Sequence, residues 1–226
     1  MTYAKIEIHY YNVRFPSVRA LKKRRYKLKN FVVKTAVKTL LIVLAVLVVA
    51  FVIFNFAFPQ HMASFAEKIG NYDMAVRYAS LRYSYTGDTD DLARCFEDAI
   101  LADDNELIIE YGDQFFEKDD HAQVMVSLSL DREIDYYDLF GGGLTRARYE
   151  TDNFSGALEL ALDLYDDTKS LTYSCPLTSL AASVVNNSDA QNAPALLDAL
   201  EGISPTNDGG EEILSSLVGS LGELSN

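Results

Sequence analysis

The most constraining feature of the chain is an apolar run that opens at Leu40 and closes at Phe58, nineteen positions in which Asn55 is the only conventionally polar residue. At about 1.5 Å per helical residue, a helix over residues 37–58 crosses the roughly 30 Å hydrocarbon layer of a bilayer with a slight tilt. A run of this length that is apolar all round needs an apolar environment on every face, which argues against a core helix of a soluble protein. A cleaved secretory signal also joins a basic front to an apolar stretch, but that stretch is usually about 7–15 residues and ends in a small-x-small site. No Ala-x-Ala stands between Ala57 and Ala66. The run is therefore expected to remain in the membrane as a signal anchor, with the bilayer as its first partner.

Charge sets the expected topology. Residues 1–38 hold eleven Lys and Arg against one acid, Glu7, a net +10; after Pro59 the other nine basic residues face thirty-two acids, a net −23, which together make the chain's −13. Short segments rich in Lys and Arg stay in the cytoplasm, because moving them against the membrane potential and away from anionic lipid is unfavourable. Three segments follow: a basic cytoplasmic arm (residues 1–36), a transmembrane helix (37–58) and an acidic extracytoplasmic domain (59–226). The expected location is the cell membrane, single-pass, with the amino end inside.

In the arm, Lys22, Lys23, Arg24, Arg25, Lys27 and Lys29 lie about ten residues before the span. They are expected to meet anionic lipid headgroups, at about 1 kcal/mol of surface attraction each. The aromatic, mildly β-prone stretch from Tyr3 to Phe15 offers Tyr10, Tyr11 and Phe15 as anchors for a cytosolic docking partner. No recognisable nucleic-acid module is present, so nucleic acid is not expected as a partner. Asn55, near the outer end of the span, is read as an interfacial residue, with a hydrogen bond to a neighbouring helix as the alternative.

Beyond the span, residues 62–69, 74–83, 92–101, 107–116 and 157–165 place apolar side chains three and four apart, as amphipathic helices require. Turn residues such as Gly70-Asn71, Gly87-Asp88, Asp103-Asp104 and Asp119-Asp120 separate them as helix stops and N-caps. Residues 195–203 and 211–224 add two more helices, the last a Gly-weakened cap on the array. The domain is expected to be all-α.

One internal repeat stands out. Asn71, Ala75, Ala79 and Tyr83 recur as Asn153, Ala157, Ala161 and Tyr165, with Tyr72 opposite Phe154. A turn residue, an aromatic two positions on and an alanine three later resembles the tetratricopeptide repeat, in which the aromatic closes a helical hairpin and the alanine lets helices approach. The resemblance covers two half-repeats. Ala79 and Ala161 stand where the family usually has an aromatic, and the terminal proline is absent. The offset of 82 exceeds two 34-residue repeats by 14, a surplus assigned to the loop around Gly141-Gly142-Gly143. A third copy aligned at Asn105 puts Ile109 and Asp113 where alanine is needed. The resemblance implies stacked α-α hairpins, TPR-like or another α-solenoid, with Tyr72, Ala75, Ala79, Phe154, Ala157 and Ala161 packing the repeats.

Tests for chemistry return little. Cys95 and Cys175 lack Cys-x-x-Cys spacing, and a bridge between them or two separate thiols both remain open. His9, His61 and His121 fall on different segments and form no zinc-binding pair. Asp88, Asp90 and Asp91 could suggest calcium, but Ala93 and Ala99 occupy positions where an EF-hand loop needs Gly and Glu, so they read as N-terminal caps. The triple glycine lacks the Lys-Ser/Thr ending of a phosphate loop and reads as a flexible connector. Arg146 and Arg148, conspicuous in so acidic a domain, are expected either to pair with local carboxylates or to contact an acidic group on a partner.

No cofactor, metal or enzymatic activity is expected. The leading expectation is a membrane-anchored protein-protein interaction module whose partner is an unidentified protein or peptide. The alternative is a structural accessory subunit of a larger membrane or cell-envelope assembly, joined through its span and arm.

Overall fold

The computed structural model describes residues 18–225, apart from the side chains of residues 18–30, 55 and 56. The Tyr3 to Phe15 stretch, with Tyr10 and Tyr11, lies outside the described residues, as do the side chains of Asn55 and of the basic cluster from Lys22 to Lys29. Among the described residues all regular structure is helical: α1 (Val18–Ala57), α2 (Pro59–Lys68), α3 (Tyr72–Thr86), α4 (Thr89–Ala102), α5 (Asn105–Phe116), α6 (His121–Arg132), α7 (Tyr136–Glu150), α8 (Phe154–Thr168), α9 (Pro176–Asn186), α10 (Ala193–Glu201) and α11 (Gly210–Leu224). The chain divides into two compact units, Met1–Ala57 and Phe58–Asn226.

Among its described residues the first unit is one helix. α1 runs for 40 residues without interruption, so residues 18–36 of the expected arm continue the same helix as the span. Within it the 24 residues Phe31–Phe54 are long and apolar enough to cross a membrane, and none of them is buried. At about 1.5 Å per residue they cover roughly 36 Å. The helix closes at Ala57, and Phe58 stands outside it at the N-cap of α2, where Pro59 opens the next helix. Proline is suited to that first turn because its missing N–H has no helical partner there.

The second unit is built on a recurring turn. α2 leads into α3, α4 into α5, α7 into α8 and α9 toward α10 through a residue with positive φ: Gly70 (71°), Asp103 (56°), Asp152 (63°) and Ser188 (52°). An Asn or Asp follows each, and its backbone N–H reaches back five residues: Asn71 to Ala66, Asp104 to Ala99, Asn153 to Arg148 and Asp189 to Val184. Its side chain then accepts from the amide three residues on, at Met74, Leu107, Gly156 and Asn192, over 3.1–3.2 Å. The left-handed residue ends one helix, and the Asx cap satisfies an orphan donor of the next. Only in the fourth copy does a further turn intervene before α10.

Counting from the capping residue corrects the alignment of the middle repeat. Its cap is Asp104, one residue before the Asn105 used in the sequence comparison. In that register Ala75, Ile108 and Ala157 are equivalent and all fully buried. Four positions later come Ala79, Gly112 and Ala161, all small, and four later again the aromatics Tyr83, Phe116 and Tyr165. α2 packs on α3, α4 on α5 and α7 on α8, while α3 against α4, α5 against α7 and α8 against α9 join one pair to the next. The surplus between repeats is α6, inserted between α5 and α7, and not the glycine run.

Gly141, Gly142 and Gly143 lie inside α7, a correction to the reading of a flexible connector. A Cβ on Gly141 would sit 2.6 Å from Leu164 and 2.7 Å from Pro176, and one on Gly143 would sit 2.7 Å from Ile100. The glycines let α8, α9 and α4 approach α7 closely. Each costs about 1 kcal/mol of helix propensity relative to alanine, so packing must hold this helix together. The aromatic centre does so on one side: Phe96, Tyr136 and Phe115 place their rings 4.5, 5.0 and 5.2 Å from that of Phe140. A separate C-terminal core gathers Leu177, Leu180, Leu196, Leu200 and Leu221 under α11.

Candidate functional site: an acidic surface and its arginine ties

Arg146 and Arg148 are engaged within the domain. The Arg146 guanidinium lies 2.7 Å from Asp103 at the end of α4 and 3.8 Å from Glu150. Arg148 donates to Asp113 of α5 at 2.6 Å and to the carbonyl of Gly156 in α8 at 2.9 Å. Both take the first of the two roles expected of them, pairing with local carboxylates. Three further arginines follow the same rule of tying one helix to another: Arg82 of α3 to Asp91 of α4 (2.7 Å), Arg94 of α4 to Glu67 of α2 (2.6 Å), and Arg132 of α6 to Glu97 of α4 (2.5 Å). With Lys169 on Asp166, six of the nine basic side chains in the domain carry ion pairs.

Those pairs engage seven acids, Glu67, Asp91, Glu97, Asp103, Asp113, Glu150 and Asp166, and leave twenty-five of the thirty-two without one. Five of the six paired cations tie one helix to another, so what the domain presents outward is mainly carboxylate, with Lys68 and Arg77 as exposed exceptions. Asp73, Asp103, Asp152 and Glu106, beside or within the recurring turns, are all exposed. An open recess of about 560 Å³ between the third and fourth turns is lined by Glu150, Asp152, Phe154 and Asp189.

The repeat-packing residues divide in two. Ala75, Ala79, Ala157 and Ala161 are buried, while Tyr72 and Phe154 are half-buried, Phe154 against the C-terminal core. Asp88 occupies the N-cap position of α4 without a capping side-chain bond, and Asp90 and Asp91 fill the first turn, where they complement the helix dipole. Asp91 accepts from Thr86 at 2.7 Å.

Sequence periodicity had no means of singling out Asp98. It is 2% exposed on α4, and its Oδ2 has no hydrogen-bond partner. Burial pushes its carboxyl from the ordinary 3.8 up to about 7, with Glu67 adding to the shift and Arg94 opposing it. Cys95, one turn earlier, is raised to about 12 by burial, with Asp98 and Asp91 contributing. Cys95 and Cys175 are both buried and unbridged.

A small recess of about 100 Å³ lies among Asp135, Asp138, Tyr165, Thr172, Cys175 and Pro176. Asp138 accepts from Thr172 at 3.3 Å and from Ser174, and burial raises its carboxyl. These bonds tie the segment before α9 to α7. His61 lies beside the Phe58 ring and His121 meets Phe115 and Phe116 edge-on, and neither histidine lines that recess. Among the described residues no group of three His, Cys, Asp or Glu side chains could hold a metal ion. Compared with protein-family models, curated proteins and solved structures, the chain matches none.

Proposed function

We propose that the protein is a single-pass membrane anchor that displays an acidic helical-hairpin domain outside the cytoplasm, where it binds protein or peptide partners. The observation that carries the reading is the 24-residue apolar window of α1, no part of which is buried. So large an apolar surface needs a covering, and a bilayer matches its length. The +10 of residues 1–38 supports an amino end held in the cytoplasm, against anionic lipid.

The four recurring turns, with small residues eight positions after the cap in three of them, support a TPR-like array of stacked hairpins. Such arrays present extended surfaces suited to a peptide or a helix. With most carboxylates outside ion pairs, the domain draws basic segments through long-range attraction, which weakens as salt is added.

Affinity capture from detergent-solubilised membranes with the full chain tests the reading. Partners with basic segments, eluted by salt and kept when arm and span are exchanged for those of an unrelated single-pass protein, are the expected result. Partners lost on the exchange would make the chain a subunit held by its span and arm. Recovery of the intact chain in the aqueous fraction after gentle lysis would overturn the anchor.

A further inference from the structure

We propose that α2 lies in the outer interface of the bilayer and seats the domain on the membrane, with Phe65 and Ile69 entering the boundary between headgroups and acyl chains. This seating rests on the membrane anchoring by α1 read above. Connectivity imposes the first constraint. The apolar window of α1 ends at Phe54 and α2 begins at Pro59. Five residues span at most about 18 Å, so the start of α2 stays near the hydrocarbon edge however the domain is turned.

The two faces of α2 supply the second. Pro59, Met62, Ala63 and Ala66 are buried, and the helix packs on α3. Away from that face, Phe65 is 53% exposed and Ile69, at the C-cap, 56% exposed. Four residues apart, they share one side of the helix, and exposed Lys68 stands beside them. An aromatic and a branched aliphatic side chain facing outward, with a lysine whose stem can lie along lipid while its ammonium reaches the headgroups, is the composition of an interfacial helix.

Charge supplies the third. Residues 59–72 contain one acid, Glu67, and one base, Lys68, so the entire −23 of the domain lies after residue 72. Glu67 is also turned to Arg94 of α4. α2 is thus electrically neutral where the rest of the domain would be repelled by anionic headgroups. The exposed Val126, Leu130 and Ile134 of the α6 region are apolar too, but acids flank them at Asp131, Glu133 and Asp135, and the chain gives them no tether to lipid.

The protein has no tryptophan, so one substitution places a single fluorophore in the full-length chain reconstituted into phosphatidylcholine vesicles. Phe65→Trp is expected to lose most of its emission to lipids brominated near the top of the acyl chain and little to aqueous iodide. Phe51→Trp, inside the span, should be quenched by brominated lipid, and Leu130→Trp, 78% exposed on α6, by iodide alone. Iodide quenching of Phe65→Trp alongside lipid quenching of Phe51→Trp would overturn the seating of α2 while leaving the anchor intact. Absence of lipid quenching at Phe51→Trp would overturn the anchor, and the seating with it. Phe65→Trp shielded from both quenchers would put protein over α2, and Leu130→Trp quenched by lipid as strongly as Phe65→Trp would remove the distinction between the two helices; either outcome overturns the proposal.

Discussion

Between Leu40 and Phe54, α1 is apolar on every face and buried on none, whereas α7 carries three consecutive glycines and is packed on by α4, α5, α6, α8 and α9. The first helix has its side chains, and from Phe31 to Phe54 all of them are exposed. The second has neighbours and, at three positions, no side chains at all. What makes α1 a helix is local, and what it needs is a medium. α7 owes its helix to the shape of its surroundings, because a bare backbone there is what lets Leu164, Pro176 and Ile100 come within contact.

The sharpest way to break this contrast is to make the surroundings of α1 hostile. Leu44→Arg with Val48→Arg places two charges mid-span, at a cost of roughly 5–7 kcal/mol for membrane insertion. Alkaline carbonate extraction should then release a chain that is otherwise retained; continued retention would mean that lipid does not cover this helix.

Inside the domain the largest effect is expected at Asp98. Its folded carboxyl sits at about 7 against an ordinary 3.8, so across that window the native state holds a proton the unfolded chain has lost. Stability therefore falls as pH rises from about 4 toward 7, by up to roughly 1.4 kcal/mol per pH unit. Asp98→Asn should flatten that slope and stabilise the protein above pH 7. Urea denaturation of the detergent-solubilised full chain at pH 5 and pH 8 measures both, and an unchanged slope would show that another group carries the proton.

The glycines test the other side of the contrast. Gly141→Val meets Leu164 and Pro176 at impossible distances and should cost about 1–3 kcal/mol through overpacking. Its neighbour is expected to respond with the opposite sign. A Cβ on Gly142 would meet nothing closer than Ser179 Oγ at 3.6 Å, so Gly142→Ala should gain about 0.5–1 kcal/mol of helix propensity. Paired shifts of the urea midpoint check this, and equal shifts at the two positions would refute close approach as the reason for the glycines.

The periodic windows located α2, α3, α4, α5 and α8 because each exposes one face to water and so alternates apolar and polar side chains at helical spacing. α7 escaped because close approach erased the pattern: glycine carries no hydropathy signal for a window to detect. The repeat was visible in Asn71 and Asn153, yet its middle copy was missed by one residue, since Asp104 and Asn105 are both plausible caps and only the hydrogen bond to Leu107 chooses between them. Arg146 and Arg148 stood out as scarce cations. Which acids they meet depended on residues 35 to 43 positions away in sequence.

The amino-acid order by itself determined an apolar helix near the start, the opposed charges on its two sides, the helical class of the remainder and three of its four capped turns. All of these depend on neighbours within a few residues or on composition, which are written directly into the chain. The tertiary structure decided that the glycine run is helical, that α6 is the inserted element, that the arginines tie helix to helix and that Asp98 is enclosed. Each of those is a meeting between distant segments, and the free energy that selects it exists only once close packing has brought them together.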